Sequence, residues 1–306
     1  MRPFTYAKPR TAAEAVRAVA AGGQGTRFLA GGTTLYDLMK LDVETPSAIV
    51  DVTGLEELRR FDTSRRRELV FGALAPMDEV ANDARLNREY PALAESLSKA
   101  ASQQLRNMAS VGGNLLQRTR CPYFRGGEPF ACNKREPGSG CSAIEGLNRG
   151  HAVLGGSNDC IAVYPGDWAV ALAVFDAEVD TLSPRGRRTI PLVDLHREPG
   201  KTPNIETVLR RDELIVRIRV PTTRLGRAST YHKIRDRESY AFALASAAVA
   251  LRMDGDRVRD VRIGLGGVAT RPWRSRRAER SLVGRRLTRA TADDAGEARV
   301  PQFVGT

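Results

Sequence analysis

All four cysteines of this 306-residue chain, Cys121, Cys132, Cys141 and Cys160, fall inside one stretch that holds eight glycines, three prolines and no apolar periodicity. Such a stretch has no hydrophobic face with which to offset its ordering entropy, so something covalent must pin it. The chain therefore has to fold as ordinary globular structure on either side of an irregular insert spanning roughly 118–160. Two disulfides, a Cys₄ zinc site and a [4Fe–4S] cluster each use four thiols. The intervening lengths of 10, 8 and 18 residues match neither the paired cysteines of zinc ribbons nor ferredoxin runs, so spacing leaves the three open, with disulfides needing an oxidising compartment.

The flanks read as mixed helix and strand. Thr11-Ala12-Ala13-Glu14 forms a capping box ahead of an Ala/Val helix that Gly22-Gly23 stops. A strand over 26–30, a Gly31-Gly32-Thr33-Thr34 loop, a short helix over 35–40 and a strand over 48–52 follow. Next come a strand at 68–72, a helix after Met77 and an amphipathic helix over 92–101. Beyond the insert the pattern predicts a helix over 168–174 and strands over 177–182 and 213–220. In the latter, Leu214, Val216, Ile218 and Val220 point inward and Ile215, Arg217 and Arg219 outward. Pro221 ends that strand; an antiparallel sheet over 229–264 and an Arg-rich helix over 274–282 complete the chain. A length of 306 residues exceeds what one core usually organises, so more than one subdomain is expected.

Two double glycines stand where chemistry could follow. Ala30-Gly31-Gly32-Thr33-Thr34-Leu35 joins a strand to a helix, so bare backbone N–H groups and a helix N-terminus can face an anion together. Ser110-Val111-Gly112-Gly113-Asn114 offers the same, and two such loops suit the two sides of one pyrophosphate. The plainer reading of either is a turn that needs positive φ. Gly264-Leu265-Gly266-Gly267-Val268-Ala269 fits the Rossmann spacing, but Pro272 and arginines follow and no acidic residue stands about 20 residues on, so that fingerprint is rejected. His151, His196 and His232 share no metal-ligand spacing and read as core or solvated side chains. No serine nucleophile elbow is present.

Composition closes off further classes. Hydrophobic residues are 42% and charged residues 27%, which is ordinary for a folded chain. The net charge of +12 permits an acidic partner or nucleic acid, yet only six cations are Lys, the arginines are dispersed, and aromatics are 6%, so no nucleic-acid groove is expected. No segment reaches the roughly 18 apolar residues of a membrane span. Residues Met1 to Tyr6 lack the apolar core of a secretory signal, so a cytoplasmic location is expected by the chain's own sequence, with periplasmic location requiring co-export with a signal-bearing partner.

Taken together, Phe28 to Leu35, Ser110 to Asn114, Tyr164-Pro165-Gly166-Asp167 and Gly264 to Ala269 resemble, in order and separation, the FAD-binding medium subunit of the xanthine dehydrogenase/molybdenum hydroxylase family. The resemblance covers nearly the whole chain. Within that family, Cys121-Pro122-Tyr123-Phe124, Ala131-Cys132-Asn133-Lys134-Arg135, Gly138-Ser139-Gly140-Cys141 and Asp159-Cys160 resemble the flavin subunit of bacterial aldehyde oxidoreductases of the PaoABC-like type, which carries an extra [4Fe–4S] cluster.

The resemblance implies an α+β fold: a two-part PCMH-type FAD-binding domain (1–55 and 56–222, the second part holding the [4Fe–4S] insert at 118–160), then a small antiparallel-sheet and helix domain of the CO dehydrogenase flavoprotein type at 223–306. It further implies that Phe28, Leu29, Ala30, Gly31, Gly32, Thr33, Thr34 and Leu35 wrap the FAD pyrophosphate from one side, and Ser110, Gly112, Gly113 and Asn114 from the other. Ala100 would pack on the cofactor, Asp167 would bond in the flavin or ribityl region, Ile215 would flank the ring and Lys233 would sit near it. From the residues alone, Asp167 reads as a helix cap and Lys233 as a strand-surface charge. Cys121, Cys132, Cys141 and Cys160 would ligate the cluster. The family usually ends in a further helix rich in Arg and Leu; this chain stops at Phe303 to Thr306 after a polar stretch, so a clipped C-terminal domain is expected.

The implied role is electron transfer within a heterotrimer. A molybdenum-cofactor large subunit oxidises an aldehyde or purine, a small subunit with [2Fe–2S] clusters relays electrons, and FAD here delivers them to an external acceptor. No catalytic residue is expected on this chain. The rivals are a stand-alone flavin oxidoreductase and a zinc-stabilised basic nucleic-acid-binding protein.

Overall fold

The computed structural model describes residues 1–297; Phe303 to Thr306, on which the expectation of a clipped end rests, lie outside the described residues. Three sheets carry the architecture. Strands β1 (Thr5–Ala7), β2 (Thr26–Leu29) and β3 (Ala48–Asp51) form a parallel sheet in the order β1-β3-β2. Strands β4 (Phe61–Asp62), β5 (Glu68–Gly72), β6 (Glu178–Ser183), β7 (Gly186–Pro191) and β8 (Leu214–Pro221) make an antiparallel sheet in the order β4-β5-β8-β6-β7. Strands β9 (Ser229–Ile234), β10 (Ala245–Asp254), β11 (Arg257–Gly266) and β12 (Trp273–Arg274) make a third, also antiparallel, in the order β12-β11-β10-β9. The insert interrupts the chain between the second sheet's β5 and β6, so its ends are anchored on a continuous core.

That core centres on the helix Trp168–Val174, whose seven residues Trp-Ala-Val-Ala-Leu-Ala-Val are all fully buried. A helix apolar on every side must be covered on every side. Trp168 meets Phe71 of β5 edge-on at 5.5 Å, and the other face lies on β11. There the glycines of the rejected Rossmann match find their use. A Cβ on Gly264 would stand 2.6 Å from the Val170 carbonyl oxygen, and one on Gly266 would stand 2.7 Å from Val170 Cγ2. They let helix and sheet close up. Each buried Val or Leu of this helix contributes roughly 1.5–3 kcal/mol, so the seven residues tie the second and third sheets into one body.

The first helix, Ala12–Ala21, is capped as read: Thr11 Oγ1 accepts from the Glu14 N–H at 3.1 Å. The Glu14 carboxylate, however, reaches back to the Arg10 N–H at 2.9 Å rather than to Thr11. The helix read over 92–101 ends earlier, as Pro91–Ser98, and Ala101 follows with φ of 47°. The polar stretch near the C-terminal end holds a helix, Arg289–Glu297, with Ala295 buried.

One correction bears on the site. Ile215 was read as outward-facing, but it is 4% exposed and shares the central cluster with Ile218 and Val220, whereas Leu214 and Val216 belong to a second cluster with Ala15, Val16 and Val19 of the first helix. The cause is a bulge. The pairing of β6 with β8 runs Asp180 to Arg217 and then Thr181 to Ile215, so Val216 has no partner on β6 and the alternation slips by one residue.

Candidate functional site

The strand β2 and the helix Leu35–Lys40 present the first double glycine between them. Gly32 sits at φ of +73°, a conformation that favours glycine, and a Cβ on Gly31 would fall 1.8 Å from the Met108 carbonyl oxygen. Both glycines are therefore required by the backbone. The following turn is closed by the Tyr36 N–H to Gly32 O (3.0 Å) and the Leu38 N–H to Thr34 O (3.1 Å), and Thr34 provides no side-chain cap. The Gly31 to Leu35 amides take no part in those bonds, and their residues line a cleft.

The second double glycine is a helix, Val111–Leu115, and not a loop. Ser110 caps it, accepting from the Gly113 N–H at 3.2 Å, and the Gly112 N–H donates to Ala73 O at 2.8 Å. Those two amides are already engaged, so this side is not the second set of free N–H groups that the sequence suggested. The two glycines also differ. A Cβ on Gly112 would stand 2.8 Å from both Ala73 Cβ and its oxygen, whereas one on Gly113 would meet only the Ser110 hydroxyl, at 2.9 Å. Gly112 serves packing; Gly113 is the bare surface.

Both glycine segments line one cleft of about 2340 Å³. That exceeds the roughly 300–1,000 Å³ of a drug-sized pocket and leaves room for a dinucleotide. Every residue from Phe28 to Leu35 lines it, with Ala100, Ser110, Gly112, Gly113, Asn114, Asp167 and Ile215. Two buried polar atoms at the Val111–Leu115 helix lack partners, Asn114 Oδ1 and His196 Nδ1. His196 Nε2 reaches Leu115 O at 2.8 Å, and the Tyr164 hydroxyl donates to the same oxygen at 3.1 Å. Burial pushes His196 down to about 4, with the Leu115 contact opposing it, so the ring is neutral at physiological pH. Unpaired acceptors in a cleft wall are what a hydroxyl- and amide-bearing ligand would complete. The residues present fit a flavin dinucleotide.

Lys233 does not line the cleft; it lies beneath it. Its ammonium donates to Asp167 Oδ2 at 2.8 Å and to Lys99 O at 3.0 Å, with the Lys233 side chain 1% exposed. The Tyr231 hydroxyl donates to Asp167 Oδ1 at 2.5 Å. Lys233 is thus not a surface charge, and Asp167, although at the N-cap position of the helix Trp168–Val174, makes no capping bond. Burial raises the Asp167 carboxyl above its ordinary range, against the pull of Lys233 and Tyr231.

The insert gathers its cysteines. Cys121, Cys132, Cys141 and Cys160 are free thiols that line a single small cavity with Tyr123, Phe124 and Asn133. A short bridge pairs Cys132 with Cys141. Asn133 knits the loop, accepting from the Gly138 and Gly140 N–H groups at 3.0 and 2.9 Å and donating to Asp159 O at 3.1 Å. Among the described residues, no three His, Cys, Asp or Glu side chains close on a point as one metal ion would need. A single zinc requires all its sulfurs about 2.3 Å from one centre; a cubane cluster carries an iron at each of four corners and needs thiols spread around a space. Desolvation raises the Cys121 thiol and pushes Cys160 up to about 11, with the Lys134 ammonium opposing at Cys160. Thiolates here therefore call for a cationic guest.

Sequence reading missed what joins the two places. Cys160 lines both the cavity and the cleft. Lys134 Nζ donates to Glu206 Oε1 at 2.8 Å, Arg118 Nε donates to Glu206 Oε2 at 2.6 Å, and Arg118 also pairs with Glu44. Glu206, half-buried against these two cations, stays below its ordinary range despite desolvation. The signal was the basic pair Arg118 and Arg120 directly before Cys121, which had been absorbed into the general charge. His151, read as core or solvated, lies against Cys121; His232 is exposed.

Comparison with known proteins agrees with this geometry. Residues 2–223 match the FAD binding domain in molybdopterin dehydrogenase, and residues 229–303 match the CO dehydrogenase flavoprotein C-terminal domain. The chain is 48% identical over 284 residues to the aldehyde oxidoreductase FAD-binding subunit PaoB of Escherichia coli K12, covering 92% of this chain and 86% of that one. It is 26% identical to the carbon monoxide dehydrogenase medium chain of Hydrogenophaga pseudoflava, covering 97% and 86%. A solved structure of carbon monoxide dehydrogenase from the same organism superposes with a TM-score of 0.74 at 25% identity, over 97% of this chain and 86% of that one.

Proposed function

The chain belongs to the FAD-binding subunits of the molybdenum hydroxylases, and from that premise we propose that it is an electron-transfer subunit carrying both FAD and a [4Fe–4S] cluster. The observation that carries the proposal is the adjacency just described: a cleft with room for a dinucleotide and a cavity ringed by four thiols share Cys160 as a common wall. A molybdenum-cofactor large subunit would oxidise the substrate, a small subunit with [2Fe–2S] clusters would relay electrons, and the flavin here would pass them to an external acceptor.

Bound FAD supplies the two-electron to one-electron interconversion; the protein supplies binding, orientation and electrostatics. The Gly31 to Leu35 segment presents backbone amides to the pyrophosphate, and Gly113 leaves room beside it. Asn114 Oδ1 and His196 Nδ1 would accept from cofactor donors. Asp167, fixed by Tyr231 and Lys233, and Ile215, turned inward by the bulge, would set the wall against the ring. Ala100 would pack on the cofactor. Lys233 would act from beneath, by holding Asp167. Cys121, Cys132, Cys141 and Cys160 would hold the cluster as thiolates.

The test is anaerobic stopped-flow reduction of the assembled complex by an aldehyde, followed at flavin and iron–sulfur wavelengths. Flavin bleaching that requires the partner subunits, and that disappears with Gly113→Val in this chain, is the expected result. Bleaching of the isolated chain by aldehyde would make it a stand-alone flavin oxidoreductase and overturn the relay.

A further inference from the structure

The imidazole of His151 lies against a cysteine sulfur, with Nε2 3.3 Å from Cys121 Sγ. The ring is brought there by the local chain. After the helix Ser142–Glu145, the His151 N–H closes a turn on Asn148 O at 2.8 Å. The Leu147 N–H donates to the Tyr123 hydroxyl at 2.6 Å, and the Tyr123 and His151 rings lie 6.2 Å apart. Tyr123 itself sits two residues after Cys121. Position of ring and position of sulfur are thus fixed by the same few residues.

The chemistry of the sulfur decides which nitrogen carries the proton. His151 Nδ1 is buried and makes no hydrogen bond of good geometry, although the Asn148 carbonyl interacts with the ring. A neutral imidazole has one N–H, and a thiolate sulfur that ligates iron can only accept, so the nitrogen that faces it, Nε2, carries the proton. Among the described residues this is the one side-chain N–H directed at a cysteine sulfur; the Ala162 backbone N–H reaches Cys160 Sγ at 3.5 Å.

We propose that His151 donates Nε2–H to the Cys121 sulfur and thereby sets the reduction potential of the cluster, as a positioning residue outside the ligand set. This rests on the [4Fe–4S] reading above. A reduced cluster places more negative charge on its sulfurs than an oxidised one. A donor held at one of them therefore favours the reduced form and raises the potential. One electron enters from the partner subunit's relay and one leaves toward the flavin; no bond at His151 forms or breaks, and its proton stays on Nε2.

The experiment uses the anaerobically purified complex as wild type, His151→Phe and His151→Gln. Iron per chain is measured, and cluster and flavin midpoints are read in one EPR-monitored redox titration. His151→Phe is expected to keep its iron and to lower the reduced-to-oxidised ratio of the cluster at the wild-type midpoint about tenfold, equivalent to 59 mV for one electron. The flavin midpoint stays in place, and the amide of His151→Gln recovers most of the cluster shift. Full iron with an unchanged cluster midpoint in His151→Phe overturns the proposal. Should that variant lose its iron, ¹⁵N-histidine labelling of the wild type decides. Pulsed EPR of the reduced cluster must show a histidine ¹⁵N coupling, and its absence overturns the proposal as surely. A wild-type complex that holds FAD but takes up no iron instead sinks the cluster reading itself, and the proposal with it.

Discussion

The flavin cleft and the cysteine insert are built by different means, although they share a wall. The cleft is framed by elements that bury a continuous core: Leu93, Leu97, Val111, Leu115, Trp168 and Val170 are all below 1% exposed. Among the described residues the insert's apolar cluster is Leu38, Phe124 and Cys132, with Val43 and Cys121 against it, and both Leu38 and Val43 are borrowed from the helix below Gly32 and the turn after it. What orders the insert instead is Asn133, the Arg118–Glu206–Lys134 network and the four thiols. Apolar burial yields a site that stands before its ligand arrives, whereas a thiol-ringed cavity gains its order from the ligand. The cleft should therefore outlast loss of its cofactor, and the insert should not.

Cys132→Ser breaks that comparison most directly. It should strip the iron from the chain and open residues 118–160 to limited proteolysis, while the thermal transition of the rest moves little. An insert that stays protease-resistant without iron would show that it orders itself.

The glycines sharpen the contrast within the cleft. Gly113→Val has only the Ser110 hydroxyl to displace, so it should weaken FAD retention at least about a hundredfold, near 2.7 kcal/mol, with the fold intact. Gly31→Val must displace the Met108 backbone and should lose both cofactor and stability. Equal melting temperatures for the two would refute the distinction.

Beneath the cleft, Lys233→Met leaves the Asp167 carboxylate buried without its cation and should cost about 3–5 kcal/mol in chemical denaturation. Adding Asp167→Leu should recover much of that loss, since a buried pair replaced by apolar groups is close to neutral. No recovery would mean that the pair is held for more than mutual compensation.

The last effect is a pH dependence. His196 is held at about 4 in the fold against about 6.5 unfolded, so the unfolded chain binds the proton first. Stability is therefore complete above pH 6.5 and falls as pH drops toward 4, by about 3 kcal/mol over the window. Denaturation of wild type and His196→Phe at pH 7 and pH 4.5 measures it, and equal pH slopes would remove His196 from the account.

Local chemistry was legible in the sequence wherever neighbours along the chain decide it. The Thr11 cap, the Gly31-Gly32 turn and the confinement of the cysteines are all of that kind. Ile215 was misplaced because a bulge depends on the partner strand, and nothing in Leu214 to Val220 announces that Val216 will go unpaired on β6. Lys233 reads as a surface cation on an alternating strand; its burial depends on Asp167, 66 residues earlier. Gly112-Gly113 was taken for a loop because glycine signals turns, whereas here Ser110 and the Ala73 carbonyl organise it as a helix. His151 was passed over because its partner is a single sulfur 30 residues away.

The claim that one chain holds both redox groups is tested most directly by cofactor content. Anaerobically purified protein should yield about one FAD and about four irons with matching acid-labile sulfide per chain, with flavin bands over a broad iron–sulfur absorbance. Flavin with no iron after anaerobic reconstitution, or one zinc per chain in place of iron, would contradict it.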